Sequence, residues 1–306
     1  MAGSRVSLSA EQVDQYFARI QLPRRYHRDQ LPALDINFLS ELQACHITTI
    51  PYENLSLHYA QRVTVSLDAS TIHHKLVQRR RGGYCMENNI LFNQVLLFLG
   101  FQAYLTGARL FRDGKGKLCG WSGWEHSVNI VTFPDRTRYL VDVGYGGNGP
   151  IMPLPFLEGL VHQNIGTQTM RLVRGTFPNS FQEQWVYQFR NTEDQAWTPG
   201  YAFTEVEFFL RDFEVMNFFT SHSPECFLTS NVLVVKFIRE GDNVQGKIIL
   251  DNDKVKMYLG SKSTIVQACK TESERLEVLE NYFGIELRRE ERDGIRGRAS
   301  SLAVFN

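Results

Sequence analysis

Apolar side chains recur at helical spacing through roughly the first hundred residues. From Glu11 to Ile20 they fall at 13, 16, 17 and 20, one face of a helix. Leu34 to Cys45 repeats the pattern with Leu34, Phe38, Leu39 and Leu42. Asp68 is placed to cap a further helix through Ile72, Leu76 and Val77, which ends in Arg79-Arg80-Arg81 and the Gly82-Gly83 break. Arginines at a helix end complement its dipole. A last face, Leu91, Phe92, Val95, Leu96 and Leu99, is closed by Gly100. From about Phe101 the period changes. Short β-branched and aromatic runs alternate with turn signals at Gly114-Lys115-Gly116, Pro134-Asp135, Pro178-Asn179 and Thr198-Pro199-Gly200, which predicts a small antiparallel barrel or sandwich. Asn231 to Ile238 and Lys247 to Leu250 add strands. Thr271-Glu272-Ser273-Glu274 reads as a capping box opening a helix through Leu276, Leu279 and Tyr282. The charge-rich tail after Leu287 is expected to be mobile as far as Ser300-Ser301-Leu302. There is no internal repeat and no low-complexity tract.

With 306 residues the chain has room for about two domains and a small third. Its 43% hydrophobic and 22% charged content suits a soluble globular protein. Lys+Arg and Asp+Glu both count 33, so no overall basic field invites nucleic acid or an anionic membrane. The opening Met1-Ala2-Gly3-Ser4-Arg5-Val6 has no apolar signal region, and Gly3 stands one place too late for N-myristoylation. The longest apolar run, Ile90 to Phe101, is broken by Asn93 and Gln94 and falls short of the ~20 residues that span a bilayer. Five scattered cysteines, none spaced as C-x-x-C, argue against a metal site or a disulfide framework and for a reducing, cytoplasmic setting.

Cys85 stands apart from the other four, which read as small core residues or inert thiols. It follows Arg81-Gly82-Gly83-Tyr84 and precedes Met86-Glu87-Asn88-Asn89 at the mouth of a predicted helix. Cationic neighbours and helix N-termini lower a thiol's pKa, and the thiolate is the nucleophile. Glycines let a backbone approach substrate, and amides at a helix start can cradle an oxyanion. Glu87 and Asn89 are read as local supports of the turn. His126 precedes a strand-like run, and Asp142 lies inside another, Tyr139 to Val143. Cys, His and Asp in this order suggest a nucleophile, its base and the base's orienter. A hairpin turning at Asp135-Arg136 would oppose 126 to 145 and leave Asp142 three positions away, about 10 Å along a strand. The contact therefore requires a bulge, strong twist or another turn. Gly144-Tyr145-Gly146-Gly147-Asn148-Gly149 matches G-x-G-x-x-G, yet Pro150, Pro153 and Pro155 follow where a dinucleotide site needs a helix. The glycines are better read as a wall beside Asp142.

These residues resemble the arylamine N-acetyltransferases over nearly the whole chain. The resemblance is carried by Ile50-Pro51-Tyr52-Glu53-Asn54-Leu55, by Arg81 to Asn89, by Gly100-Phe101, and by His126 with Val141-Asp142-Val143-Gly144. Met216-Asn217, Ser223-Pro224 and Phe227 extend it. His and Asp follow the cysteine by about 40 and 57 residues, the family's spacing. It implies an α+β fold with a thiol-protease or transglutaminase-like core. A helical domain at 1–100 would carry the nucleophile, an antiparallel β-barrel at 101–208 the His and Asp, and an α/β lid would span 209–306. It implies a ping-pong reaction in which Cys85 takes an acyl group from acyl-coenzyme A and passes it to an arylamine, hydrazine or arylhydroxylamine. His126 would serve as base and acid, and Asp142 would fix its tautomer. Ser122 and Gly123 would lie along the pantetheine arm, and Gly144 and Tyr145 would border the substrates. No metal or tightly bound cofactor is implied, and the protein would be a monomer or a homodimer. Where relatives often carry small hydroxyl residues after Ser-Pro, this chain has Glu225-Cys226, a carboxylate that would oppose a coenzyme A phosphate. The acyl group could be acetyl, propionyl or malonyl. Malonyl would need a cationic or hydrogen-bonding partner near Cys85, and Arg81, which the family carries anyway, does not discriminate. The alternatives are a thiol hydrolase or transglutaminase-like enzyme with the same triad, and a non-catalytic scaffold, which would be expected to have lost a triad member.

Overall fold

In a computed structural model, residues 6–113, 119–178, 180–260 and 262–302 are described. The turn expected at Gly114-Lys115-Gly116 and the side chain of Cys119 lie outside them. The first predicted helix forms as α1 (Ala10–Arg19), where Ser9 Oγ accepts from Gln12 N at 3.2 Å and Gln12 Oε1 from Ser9 N at 2.9 Å. Asp35 caps α2 (Ile36–Thr49). Then come β1 (Tyr52–Glu53), α3 (Leu55–His58), and α4 (Ala69–His73), which Asp68 caps and a π-helical turn at His74–Gln78 prolongs. The central helix is α5 (Cys85–Leu99), stopped by Gly100 at φ +98°, a backbone region that favours glycine.

After Gly100 the chain builds an antiparallel sheet from β2 (Gln102–Asp113), β3 (Cys119–Thr132), β4 (Arg138–Val141), β5 (Leu154–Pro155), β6 (His162–Gln163), β7 (Thr169–Gly175), β8 (Gln184–Arg190) and β9 (Thr198–Phe203). Their order is β5-β4-β3-β2-β9-β8-β7-β6. Beyond β5 the chain reaches β7: Glu158 bridges Leu172, and Gly159 N donates to Leu172 O at 2.7 Å. That contact curls the sheet around a core that includes Val128, Ile130, Leu140, Leu172, Tyr187 and Tyr201. The third part contains α6 (Leu210–His222), β10 (Leu233–Glu240), β11 (Asn243–Asp251), β12 (Lys254–Leu259), β13 (Lys262–Ala268), α7 (Glu272–Phe283) and α8 (Arg289–Asp293). One face of its sheet, through Val234, Ile248, Leu250 and Val255, packs with Val278, Leu279 and Phe283 of α7. The α+β class follows.

Two features depart from the sequence reading. The short β1 pairs with β10, so the helical segment supplies an edge to the last sheet. The tail expected to be mobile is pinned instead. Glu291 of α8 accepts from Arg79 and Arg81, Arg298 Nη2 bonds Ala60 O, and Ser300 Oγ meets His58 Nδ1 at 2.8 Å. Glu291, Arg298 and Ser300 find buried or half-buried partners, which a charge count cannot show.

Candidate active site

Cys85 opens α5, and its turn is fixed from both sides. Tyr84 N donates to Glu87 Oε2 at 3.1 Å, and Lys75 Nζ reaches Glu87 Oε1 at 2.8 Å. Asn88 Nδ2 donates to Gly83 O at 2.6 Å. The two glycines are demanded by packing rather than by substrate: a Cβ on Gly82 would lie 2.0 Å from Pro51 O, and one on Gly83 2.8 Å from Glu87 Cβ. Arg81 likewise turns away from the expected role. Its guanidinium is buried against Glu53 at 2.8 Å and Glu291 at 3.0 Å, an ion-pair network behind the turn. The thiol is therefore not lowered as the arginine run suggested. Burial pushes the Cys85 thiol up, the Asp142 carboxylate adds to that, and the Met86 amide pulls it partly back. Its sulfur sits 3.5 Å from the carbonyl oxygen of Glu125, the residue before His126.

The β3–β4 hairpin pairs Asn129 with Val141 and Thr132 with Arg138, one position from the register expected from sequence. Arg136, at φ +68°, helps close the intervening turn. The ladder then stops at Val141, and the chain bends out of the sheet. Freed from strand geometry, Asp142 brings Oδ2 to 2.8 Å from His126 Nε2. Its Oδ1 accepts from Asn89 Nδ2 at 2.9 Å and Gly144 N at 2.8 Å. Burial alone would push this carboxyl up; the charge and hydrogen bond of His126, with the bonds from Asn89 and Gly144, outweigh it and hold Asp142 below its ordinary value.

Asn89 is the residue that sequence reasoning misplaced. It does not support its own turn. Besides Asp142, its Nδ2 donates to Ser127 O at 2.7 Å, and its Oδ1 accepts from Val143 N at 3.1 Å. One helical turn after Cys85, it ties α5 to β3, which bears His126, and to the bend after β4 that bears Asp142. The i, i+4 spacing from Cys85 was the available signal. Gly144 packs against the same corner, where a Cβ would lie 2.7 Å from both Asn89 Nδ2 and Cys85 O.

Tyr145 lies beside the histidine, with ring centres 5.7 Å apart, and Tyr201, unmarked in the sequence, approaches His126 at 5.0 Å. Ser122 and Gly123 lie further along β3, where the β2–β3 ladder is irregular. Ser122 Oγ accepts from Leu110 N at 2.9 Å, and a Cβ on Gly123 would meet nothing within 4 Å. Arg112 of β2 pairs with the buried Glu125 carboxylate and stands 5.4 Å from the Phe227 ring. Burial pushes Cys226, Tyr52 and Tyr145 up, and the positive charge of Arg112 offsets part of that at each. Glu225 is exposed and Cys226 buried. Among the described residues no cluster of three His, Cys, Asp or Glu could hold a metal ion, and no helix is long and apolar enough to cross a membrane.

Cys85 thus opens α5 beside the segments that bring His126 and Asp142 together, on a framework of helices and two antiparallel sheets. An N-acetyltransferase family model matches residues 35–292, and the chain belongs to the arylamine N-acetyltransferase family. It is 33% identical to N-malonyltransferase FDB2 of Fusarium pseudograminearum, over 94% of this chain and 92% of the relative. The arylamine N-acetyltransferase of Nocardia farcinica superposes with a TM-score of 0.76 at 30% identity, covering 92% of each chain. That of Mycobacterium marinum, solved in complex with CoA, shares the fold at a TM-score of 0.75 and 24% identity, covering 92% of this chain and 98% of its own. The protein is an N-acyltransferase.

Proposed function

We propose that Cys85, His126 and Asp142 form the catalytic triad of a ping-pong N-acyltransferase that moves an acyl group from acyl-coenzyme A to an arylamine, arylhydrazine or arylhydroxylamine. The observation that carries this reading is the His126–Asp142 pair at 2.8 Å, with the buried Cys85 sulfur 3.5 Å from the carbonyl oxygen of the preceding Glu125. A lone buried thiolate is costly here, so the ionised nucleophile forms by handing its proton to His126, whose positive charge Asp142 offsets. The thiolate attacks the donor carbonyl, a carbon–sulfur bond forms to Cys85, and the bond to coenzyme A breaks. Imidazolium returns the proton to the departing thiolate. In the second half the amine nitrogen attacks the Cys85 thioester, His126 takes a nitrogen proton, and amide formation releases Cys85. Ser122 and Gly123 would flank the pantetheine arm, and Gly144 and Tyr145 the reacting groups. In this reading the helices to about residue 100 carry the nucleophile, 101–208 the base and its orienter, and 209–306 the lid. The enzyme works in the cytoplasm without a tightly bound cofactor.

The malonyl-transferring relative bears on the donor. Arg81, held by two carboxylates, is not free to meet a malonyl group, whereas Arg112 stands among the residues around the triad. A guanidinium offers five donors in a fork matched to carboxylate, and Glu125 engages one edge. We assign malonyl among the donors on this basis. Intact-protein mass after brief exposure to acetyl-, propionyl- and malonyl-coenzyme A, wild type against Cys85→Ala, tests the scheme. A Cys85-dependent adduct that an aminobenzoate discharges to an amide is expected. An adduct discharged only to free acid would indicate a hydrolase, and no adduct with any donor would overturn the thioester route.

A further inference from the structure

A second charged group lies close to the triad and takes no part in it. The face of the last sheet opposite α7 presents Val235, Lys247, Ile249 and Tyr258, which sit side by side through the pairings Val235–Ile249 and Lys247–Tyr258. Lys247 is 8% exposed. Its ammonium bonds the carbonyl of Gly147 and, at 2.9 Å, Asn148 Oδ1, and it lies 5.2 Å from the Tyr258 ring centre. These partners are neutral; no carboxylate of the described residues is recorded as its ion-pair partner. Burial accordingly pushes its pKa down to about 8. Burying an uncompensated ammonium is costly, and a third donor remains on the nitrogen. The glycine loop leaves space for it: a Cβ on Gly147 would stand 3.0 Å from Ile249 Cδ1 and 3.6 Å from Lys247 Cδ.

Lys247 faces a cavity of about 550 Å³, in which it is the one charged group among the described lining residues. Leu233, Val235 and Ile249 provide an apolar surface, and Asn191, Thr192 and Ser263 polar edges. This size and mixture suit a small organic ligand. Tyr145 lines the cavity, and its ring centre lies 5.7 Å from that of His126. We infer that this cavity is a subsite for small aromatic carboxylates, with Lys247 receiving the acid group and Tyr145 and Tyr258 flanking the ring. The inference deepens the acyltransferase reading by favouring acceptors that carry a carboxylate, and it rests on that reading only for the role of the site, not for its occupancy.

The test uses para-fluorobenzoate, which has no amine to react, and its neutral isostere para-fluorobenzamide, with binding followed by fluorine NMR on wild type, Lys247→Met and Lys247→Arg. Wild type should bind the acid at least about tenfold more tightly than the amide, Lys247→Met should lose that preference, and Lys247→Arg should retain most of it. Equal affinity of wild type for acid and amide, or an undiminished preference in folded Lys247→Met, would overturn the inference. If Lys247→Met fails to fold, Lys247→Gln takes its place, and an undiminished acid preference in that folded variant counts against the site. Repeating the titration on Cys85→Ser keeps the result independent of the thioester route. In turnover, the KM ratio of para-aminobenzoate to neutral para-toluidine should rise about tenfold in Lys247→Met; an unchanged ratio would place the site outside the acceptor's path.

Discussion

Asn89 and Asp142 are joined side chain to side chain at 2.9 Å, although one lies on α5, the helix that Cys85 opens, and the other just past β4. The bond makes the orientation of His126 depend on the helix that carries Cys85. Asn89→Ala removes four side-chain contacts at once, those to Asp142, Ser127, Val143 and Asn129. Each buried group left without a partner costs about 1–3 kcal/mol, so a clear fall in unfolding free energy is expected at neutral pH. Asp142 is held low in the folded state, so its contribution is complete above the ordinary value of 3.8 and is lost as pH falls through the folded value. Asn89→Ala weakens that depression. The stability gap between wild type and variant should therefore be largest above pH 3.8 and narrow below it, as denaturant titrations across pH would show. A gap that widens on acidification would mean Asn89 does not hold Asp142 ionised.

Gly144→Ala tests the same corner by crowding. The added methyl would stand 2.7 Å from Asn89 Nδ2 and 2.8 Å from Cys85 Cα. Overpacking of this kind costs about 1–3 kcal/mol. Because the clash falls on the helix bearing the nucleophile, acylation of Cys85 should slow by more than the fraction unfolded explains. Wild-type acylation in a destabilised but folded variant would argue that Gly144 serves packing alone.

Arg112→Lys separates charge from the guanidinium fork. Lysine can still pair with Glu125 but cannot offer two parallel donors to a second carboxylate. The expected outcome is a fall of about tenfold or more in kcat/KM for malonyl-coenzyme A relative to acetyl-coenzyme A. Single-turnover acylation with both donors measures it, and an unchanged ratio would remove Arg112 from donor recognition.

How much of this was legible depends on the range over which each residue acts. Cys85 was visible because its markers are local: a glycine break, a helix start and a following apolar face. The reason attached to it was wrong in part, since Arg81 and the glycines serve an ion-pair network and close backbone packing that only distant Glu53, Glu291 and Pro51 reveal. The residue types and order of Cys85, His126 and Asp142 were readable, but the meeting of His126 and Asp142 was not. It depends on the ladder ending at Val141 and on a donor from α5, which strand periodicity cannot encode. Arg112 and Lys247 looked like ordinary alternating strand residues. Their surroundings come from chain segments far away in sequence, and burial distinguishes them only once the sheets are assembled.

The last prediction concerns the thiol. Burial raises the Cys85 pKa, so the side chain by itself would react poorly at neutral pH. In the proposed mechanism its reactivity comes from His126 accepting the proton. Iodoacetamide should therefore modify wild-type Cys85 at a rate nearly flat from pH 6 to 8, because the thiolate–imidazolium pair persists below the intrinsic thiol pKa. In His126→Asn the pair cannot form. The rate at neutral pH should drop about a hundredfold or more and then climb with pH toward the raised thiol value, about tenfold per unit. Peptide mapping identifies the modified cysteine and separates Cys85 from the buried Cys45, Cys226 and Cys269. A His126→Asn protein that is folded by circular dichroism and alkylates at Cys85 as fast as wild type would show that His126 does not activate the nucleophile.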